Sequence, residues 1–116
     1  MQYFTFLGVG TLPSGYEEAL YIFEDNKDEI YASKYVQSAI IEKYCSDINE
    51  VYVFCTEKSY KLGGINISNE IKTKFNLDIK FIKINEFVKI EEILQKMSAI
   101  LNDDFIIDVT HSFRNI

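Results

Sequence analysis

Six residues close to the carboxyl end of the chain, Asp108, Thr110, His111, Ser112, Arg114 and Asn115, could do chemistry together. They supply a carboxylate, two hydroxyls, the sequence's single imidazole, a guanidinium and an amide. Hydroxyl and guanidinium donors, joined by free backbone N–H groups if a helix starts near Ser112, are the parts of an anion site. Asp108 would orient His111 or a loop amide, or else satisfy buried polar groups of the loop. Phe113 reads as a packing residue, not as a stacking platform for a base.

Two further loops carry candidate groups. Gly8, Val9, Gly10 and Thr11 follow an apolar run. Gly8 and Gly10 fit the first half of a G-x-G-x-x-G dinucleotide pattern, but the third glycine position is Pro13, so the fingerprint fails. The glycines still let backbone N–H groups approach a phosphate or a base, the alternative being a plain turn. Thr56, Glu57 and Lys58 end a second apolar run. A nucleophilic reading would pair Cys55 with His111 and orient the imidazole with Asp108. Cys55 follows Val51, Val53 and Phe54 directly, however, which is the setting of an inert core thiol. One histidine without paired cysteine or acidic ligands gives no basis for a metal site.

These groups must be positioned by strands and helices, and the hydropathy pattern supplies them in alternation. Positions 3 to 8 form an apolar and aromatic strand that breaks at a loop with three glycines and the sole proline. The run LYIFEDNKDEIYAS predicts a hairpin around Asp25, Asn26 and Lys27. Ser33 is placed to cap a helix with an apolar face of Tyr35, Val36, Ala39, Ile40 and Tyr44, ending near Ser46. Positions 51 to 55 predict a buried strand that opens into a TEKSYKLGG loop, followed by a helix on Ile67, Ile71 and Phe75. Lys80 and Lys83 mark the strand at 79 to 84 as one near an edge, where they are solvated. Ile90, Ile93, Leu94, Met97, Ile100 and Leu101 trace a helical stripe with Glu91 and Glu92 at its start. Phe105, Ile106, Ile107 and Val109 make the last strand, apolar enough to expect burial on both faces.

Such alternation predicts an α/β, Rossmann-like fold: a mainly parallel sheet flanked by helices through right-handed crossovers, with a short hairpin inserted after the first strand. The loops at 8 to 11, 56 to 58 and 110 to 115 then gather at the carboxyl edge, where such sheets bind ligands. At 116 residues the chain is one domain, 1–116, and its last strand has no following helix, so a C-terminally incomplete domain is expected. A composition 47% hydrophobic and 26% charged fits a packed unit rather than disorder. A formal net charge of −6 disfavours general attraction to DNA or to an anionic membrane, so an anionic ligand needs a local positive site. Cys45 and Cys55 have neither zinc nor disulfide spacing, which fits a reducing cytoplasm. The apolar start lacks a basic leader and is too short to span a bilayer.

The run Asp108-Val109-Thr110-His111-Ser112, followed by Phe113 and Arg114, resembles the D-x-T-H-G motif of a CRISPR-associated family whose N-terminal domain is the CARF domain, a Rossmann-like sensor. Ser112 stands where the motif has glycine. FLGVGT at 6 to 11, SKYVQSAI at 33 to 40 and VFCTEKS at 53 to 59 resemble the family's opening strand and loop, first helix and second strand.

The resemblance implies a dimeric receptor of type III antiviral defence that binds cyclic oligoadenylate, an anionic second messenger, across the two-fold axis to control an effector ribonuclease. The effector domain itself would lie outside this chain. Carried over by position, the ligand-binding residues are Gly8, Val9, Gly10, Thr11, Thr56, Lys58, Thr110, His111, Ser112, Arg114 and Asn115. No cofactor, metal, membrane or direct DNA partner is expected. Two other functions stay open: a ring nuclease that cleaves the messenger, with His111, Arg114 or Lys58 stabilising developing charge, and a non-catalytic protein-interaction module.

Overall fold

The computed structural model describes residues 1–8, 19–23, 26–33, 35–44, 46–85 and 88–108. The elements are β1 (Gln2–Phe6), β2 (Ala19–Phe23), β3 (Asn26–Ser33), α1 (Val36–Lys43), β4 (Glu50–Cys55), α2 (Glu57–Ser59), α3 (Ile65–Phe75), β5 (Ile79–Lys83), α4 (Ile90–Ser98) and β6 (Phe105–Ile107). A π-helical turn over Tyr60–Gly64 joins α2 to α3. Four strands form one parallel sheet in the order β5-β4-β1-β6, and β2 and β3 form a separate antiparallel hairpin. This is the α/β Rossmann-like arrangement that the alternation of elements predicts.

Side chains alternate across the sheet as the period of a strand requires. Tyr3, Val51, Val53 and Cys55 face one core with residues of α1 and α3, including Ile40, Ile41, Ile67 and Ile71. Phe4, Phe6, Tyr52 and Phe54 face the other, with Ile93 and Met97 of α4. On that second face the aromatic rings stack in pairs across β1 and β4, Phe4 on Tyr52 with centroids 4.9 Å apart and Phe6 on Phe54 at 5.2 Å. Helices therefore cover both faces, the condition under which strands can be apolar on both sides.

The sheet's amino edge is tied shut. The Gln2 side-chain amide donates to the Ile100 carbonyl at 2.7 Å while its oxygen accepts from the Asn102 N–H at 2.8 Å. The Gln2 N–H reaches the Asp104 carbonyl at 2.9 Å. A glutamine that is almost wholly buried thus closes the turn between α4 and β6.

Several boundaries differ from expectation. Strand β3 continues to Ser33, paired with Ala19, and Tyr35 keeps an extended backbone, so α1 starts at Val36. Ser33 Oγ accepts from the Tyr35 N–H at 3.1 Å, bracing the junction without capping the helix. The helix stops at Lys43, short of Ser46. Asn26 and Lys27 belong to β3 and not to the turn. Lys80 and Lys83 do lie on a strand that is an edge among the described residues, but each has partners. Lys80 pairs with Glu50 at 3.8 Å and lies over the Tyr52 ring, and Lys83 bonds Glu57 at 3.0 Å.

The larger correction concerns β6. It is an edge strand among the described residues, and Phe105 and Ile107 are 41% and 40% exposed. Its apolar sequence suits a covered strand, but no described neighbour lies beyond it. Val109 and Cys45 lie outside the described residues.

Candidate functional site

Parallel pairing puts the carboxyl ends of β1, β4, β5 and β6 on one edge. Chain order supplies a direction as well. From β1 the chain moves to β4 and then β5 on one side, and α4 carries it back to β6 on the other side of β1. Order reverses between β1 and β6, and in open α/β sheets the ligand crevice opens at such a switch point.

Asp108 follows β6 at this point, its N–H bonded to the Phe4 carbonyl at 2.8 Å. Its Oδ2 accepts from Tyr3 Oη at 3.0 Å and from Thr5 Oγ1 at 2.9 Å. Gln37, in the first turn of α1, donates through Nε2 to the Phe6 carbonyl at 3.0 Å and to Thr5 Oγ1 at 3.3 Å. Tyr3, Thr5, Gln37 and Asp108 are all buried. The Thr5 hydroxyl thus accepts from α1 and donates to the residue after β6, linking α1, β1 and the end of β6. Burial raises the Tyr3 phenol pKa, and the Asp108 charge raises it further, so Tyr3 remains a donor. The sequence assigns Asp108 to orient His111 or a loop amide, or to satisfy buried polar groups of the loop. Its partners among the described residues are instead two side chains of β1, Tyr3 and Thr5, and the loop lies outside those residues.

The edge is built differently at β4. Thr56 caps α2: its Oγ1 accepts from the Ser59 N–H at 3.1 Å, and Ser59 Oγ accepts from the Thr56 N–H at 2.9 Å. The expected ligand residue Thr56 therefore has its hydroxyl committed to a capping box. Glu57 is held by Lys83 at 3.0 Å and Lys61 at 3.8 Å. The hydrogen bond from Lys83 and the charges of both lysines hold its carboxyl below the usual range. The Lys83 ammonium also lies 4.6 Å from the centroid of the Tyr60 ring, which packs edge-on against Phe81. Lys58 is exposed and makes no ion pair or hydrogen bond among the described residues.

A cavity of about 480 Å³ lies here, lined by Thr56, Glu57, Lys58, Lys61, Ile84 and Asn85. Asn85, directly after β5, and Lys61, in the π-helical turn, are absent from the sequence-based candidates. The carboxyl end of the third parallel strand had to open on the same edge, and that was the signal available for Asn85. Lys61 was hidden because TEKSYKLGG, with its paired glycines, reads as a loop, whereas the chain is helical from Glu57 onward.

The fold thus brings Gly8, Thr56 and Lys58 to one edge, at the ends of adjacent strands β1 and β4. Val9, Gly10, Thr11, Thr110, His111, Ser112, Arg114 and Asn115 lie outside the described residues. Cys55 is buried, and burial raises its thiol pKa, the opposite of nucleophile activation. The chain matches no protein-family profile, and no curated protein matches it in sequence. Among the described residues no helix is long and apolar enough to cross a membrane, and no group of three or more His, Cys, Asp or Glu side chains is disposed to hold a metal ion.

Proposed function

We propose that this protein is a CARF-type sensor that binds cyclic oligoadenylate at the carboxyl edge of its sheet, as a homodimer, and so controls an effector ribonuclease. The observation that carries the reading is the reversal of strand order between β1 and β6, with Asp108, the first residue of the D-x-T-H motif, at the end of β6. The motif and the reversal of strand order coincide at one residue. Lys58, which has no carboxylate partner among the described residues, supports an anionic ligand.

Isothermal titration of the folded chain with cyclic tetra-adenylate and cyclic hexa-adenylate tests the reading. Saturable binding of either ring, at one ring per two chains, is expected, and no binding of either overturns it. His111→Ala and Arg114→Ala should each weaken binding by about tenfold or more, the loss of a charge-assisted hydrogen bond. A protein-interaction module would leave that affinity untouched. Chromatography of the messenger after incubation separates sensor from ring nuclease: a sensor returns the cyclic ligand unchanged.

A further inference from the structure

We infer that the cavity between the ends of β4 and β5 is a phosphate subsite, in which Lys58, Lys61 and the Asn85 amide bind one phosphate group of a nucleotide ligand. Placing that phosphate within a cyclic oligoadenylate rests on the reading above, whereas the anion preference of the cavity does not.

Charge comes first. In a chain of formal net charge −6, Lys58 and Lys61 line the cavity with Glu57, and the adjoining surface, which shares Glu57, Ile84 and Asn85, adds Lys83, Lys96 and Glu92, so four lysines stand against two carboxylates among the described residues there. Lys83 is the closer partner of that carboxylate, at 3.0 Å against 3.8 Å for Lys61, so Glu57 is neutralised chiefly from the β5 side. Lys61 and its partner are both exposed, and an ion pair of that kind contributes little and exchanges readily for a better anion. Lys58 is unpaired. The described residues of this corner therefore carry more positive than negative charge.

Donor chemistry comes second. The Thr56 hydroxyl is committed to Ser59, and Ile84 offers only an apolar wall. The remaining side-chain donors are two ammonium groups and one amide, the set that suits an anion with several acceptor oxygens. A volume of about 480 Å³ exceeds one phosphate and falls within the range of small-ligand sites, leaving room for an attached sugar.

Lys83, the closer partner of Glu57, is itself held in place. Gly64 lies against Tyr60, where an added Cβ would be 2.6 Å from the ring, and Tyr60 in turn carries the Lys83 ammonium over its face. The π-helical turn that allows this also contains Lys61, and turns of this kind recur at functional sites.

The test titrates the ¹⁵N-labelled 116-residue chain with inorganic pyrophosphate, adenosine monophosphate and cyclic tetra-adenylate, following amide resonances. Pyrophosphate should shift Lys58, Lys61 and the Asn85 side-chain amide. The Lys58→Ala/Lys61→Ala variant should lose at least about tenfold in affinity for it, equivalent to one charge-assisted hydrogen bond. Lys27→Ala, which removes one exposed charge from the separate hairpin, should change it little. Equal losses in both variants, or pyrophosphate shifts that leave Asn85 unmoved, overturn the subsite. If pyrophosphate and adenosine monophosphate bind here while cyclic tetra-adenylate does not, the subsite stands and the messenger reading falls. If cyclic tetra-adenylate binds the double variant and the wild type equally, the subsite as part of a messenger site is overturned.

Discussion

At the scale of single residues, the Asp108 carboxylate and the Tyr3 phenol form a buried tie between the end of β6 and β1. Both hydroxyls that bond Asp108 Oδ2 are buried, so Asp108→Ala leaves two donors without their acceptor and should cost about 3 kcal/mol in chemical denaturation. The Tyr3 pKa is raised by burial and by Asp108. Above about pH 10 an unfolded tyrosine ionises while Tyr3 in the folded chain does not, so the unfolded state binds fewer protons and stability falls as pH rises. Stability measured from pH 8 to 11.5 should show this alkaline decline, and Tyr3→Phe should flatten it while losing about 1 kcal/mol at neutral pH for the missing hydrogen bond. Cys55 belongs at this scale too. Buried and with a raised pKa, it should resist alkylation by iodoacetamide under native conditions and react once the chain is unfolded.

At the scale of elements, the junction of α2 and α3 is where sequence and structure part most instructively. Apolar runs and their spacing made every strand and the identity of each long helix readable, because periods of two and of 3.6 residues are local properties. Gly63 and Gly64 concealed the start of the second helix, since adjacent glycines are ordinarily breakers. Here Gly64 is required by the close approach of Tyr60. Gly64→Ala should therefore destabilise the fold by about 1–3 kcal/mol as an overpacking change and release Lys83 from the ring. Thermal denaturation of the variant measures the first effect, and the Lys83 side-chain resonance the second. The same reasoning explains the misjudged β6. Whether Phe105 and Ile107 are covered depends on what lies beside the strand, and no local pattern in FII contains that information. Of the candidate site, Lys58 was picked out by residue type alone, whereas Asn85 became visible only through strand order.

At the scale of the whole molecule, polar ties and exposed apolar surface lie in different places. Ile90 and Leu94 of α4 are 44% and 54% exposed, and Phe105 and Ile107 of β6 face the side of the sheet that α4 covers. Apolar groups of this size at a sheet edge favour association. Sedimentation velocity should find mass increasing with protein concentration, and the Leu94→Lys/Ile107→Lys variant should shift the distribution toward single chains. Titrating messenger into that variant would also show whether association and binding are linked. The paired rings on β1 and β4 have a use beyond packing. With no tryptophan in the chain, near-ultraviolet absorption comes chiefly from tyrosine and phenylalanine. The Phe4–Tyr52 and Phe6–Phe54 stacks hold such rings in fixed, asymmetric surroundings at the centre of the sheet. Near-ultraviolet circular dichroism should therefore report the pairing of β1 with β4 without any label, an optical signature that vanishes when those two strands separate.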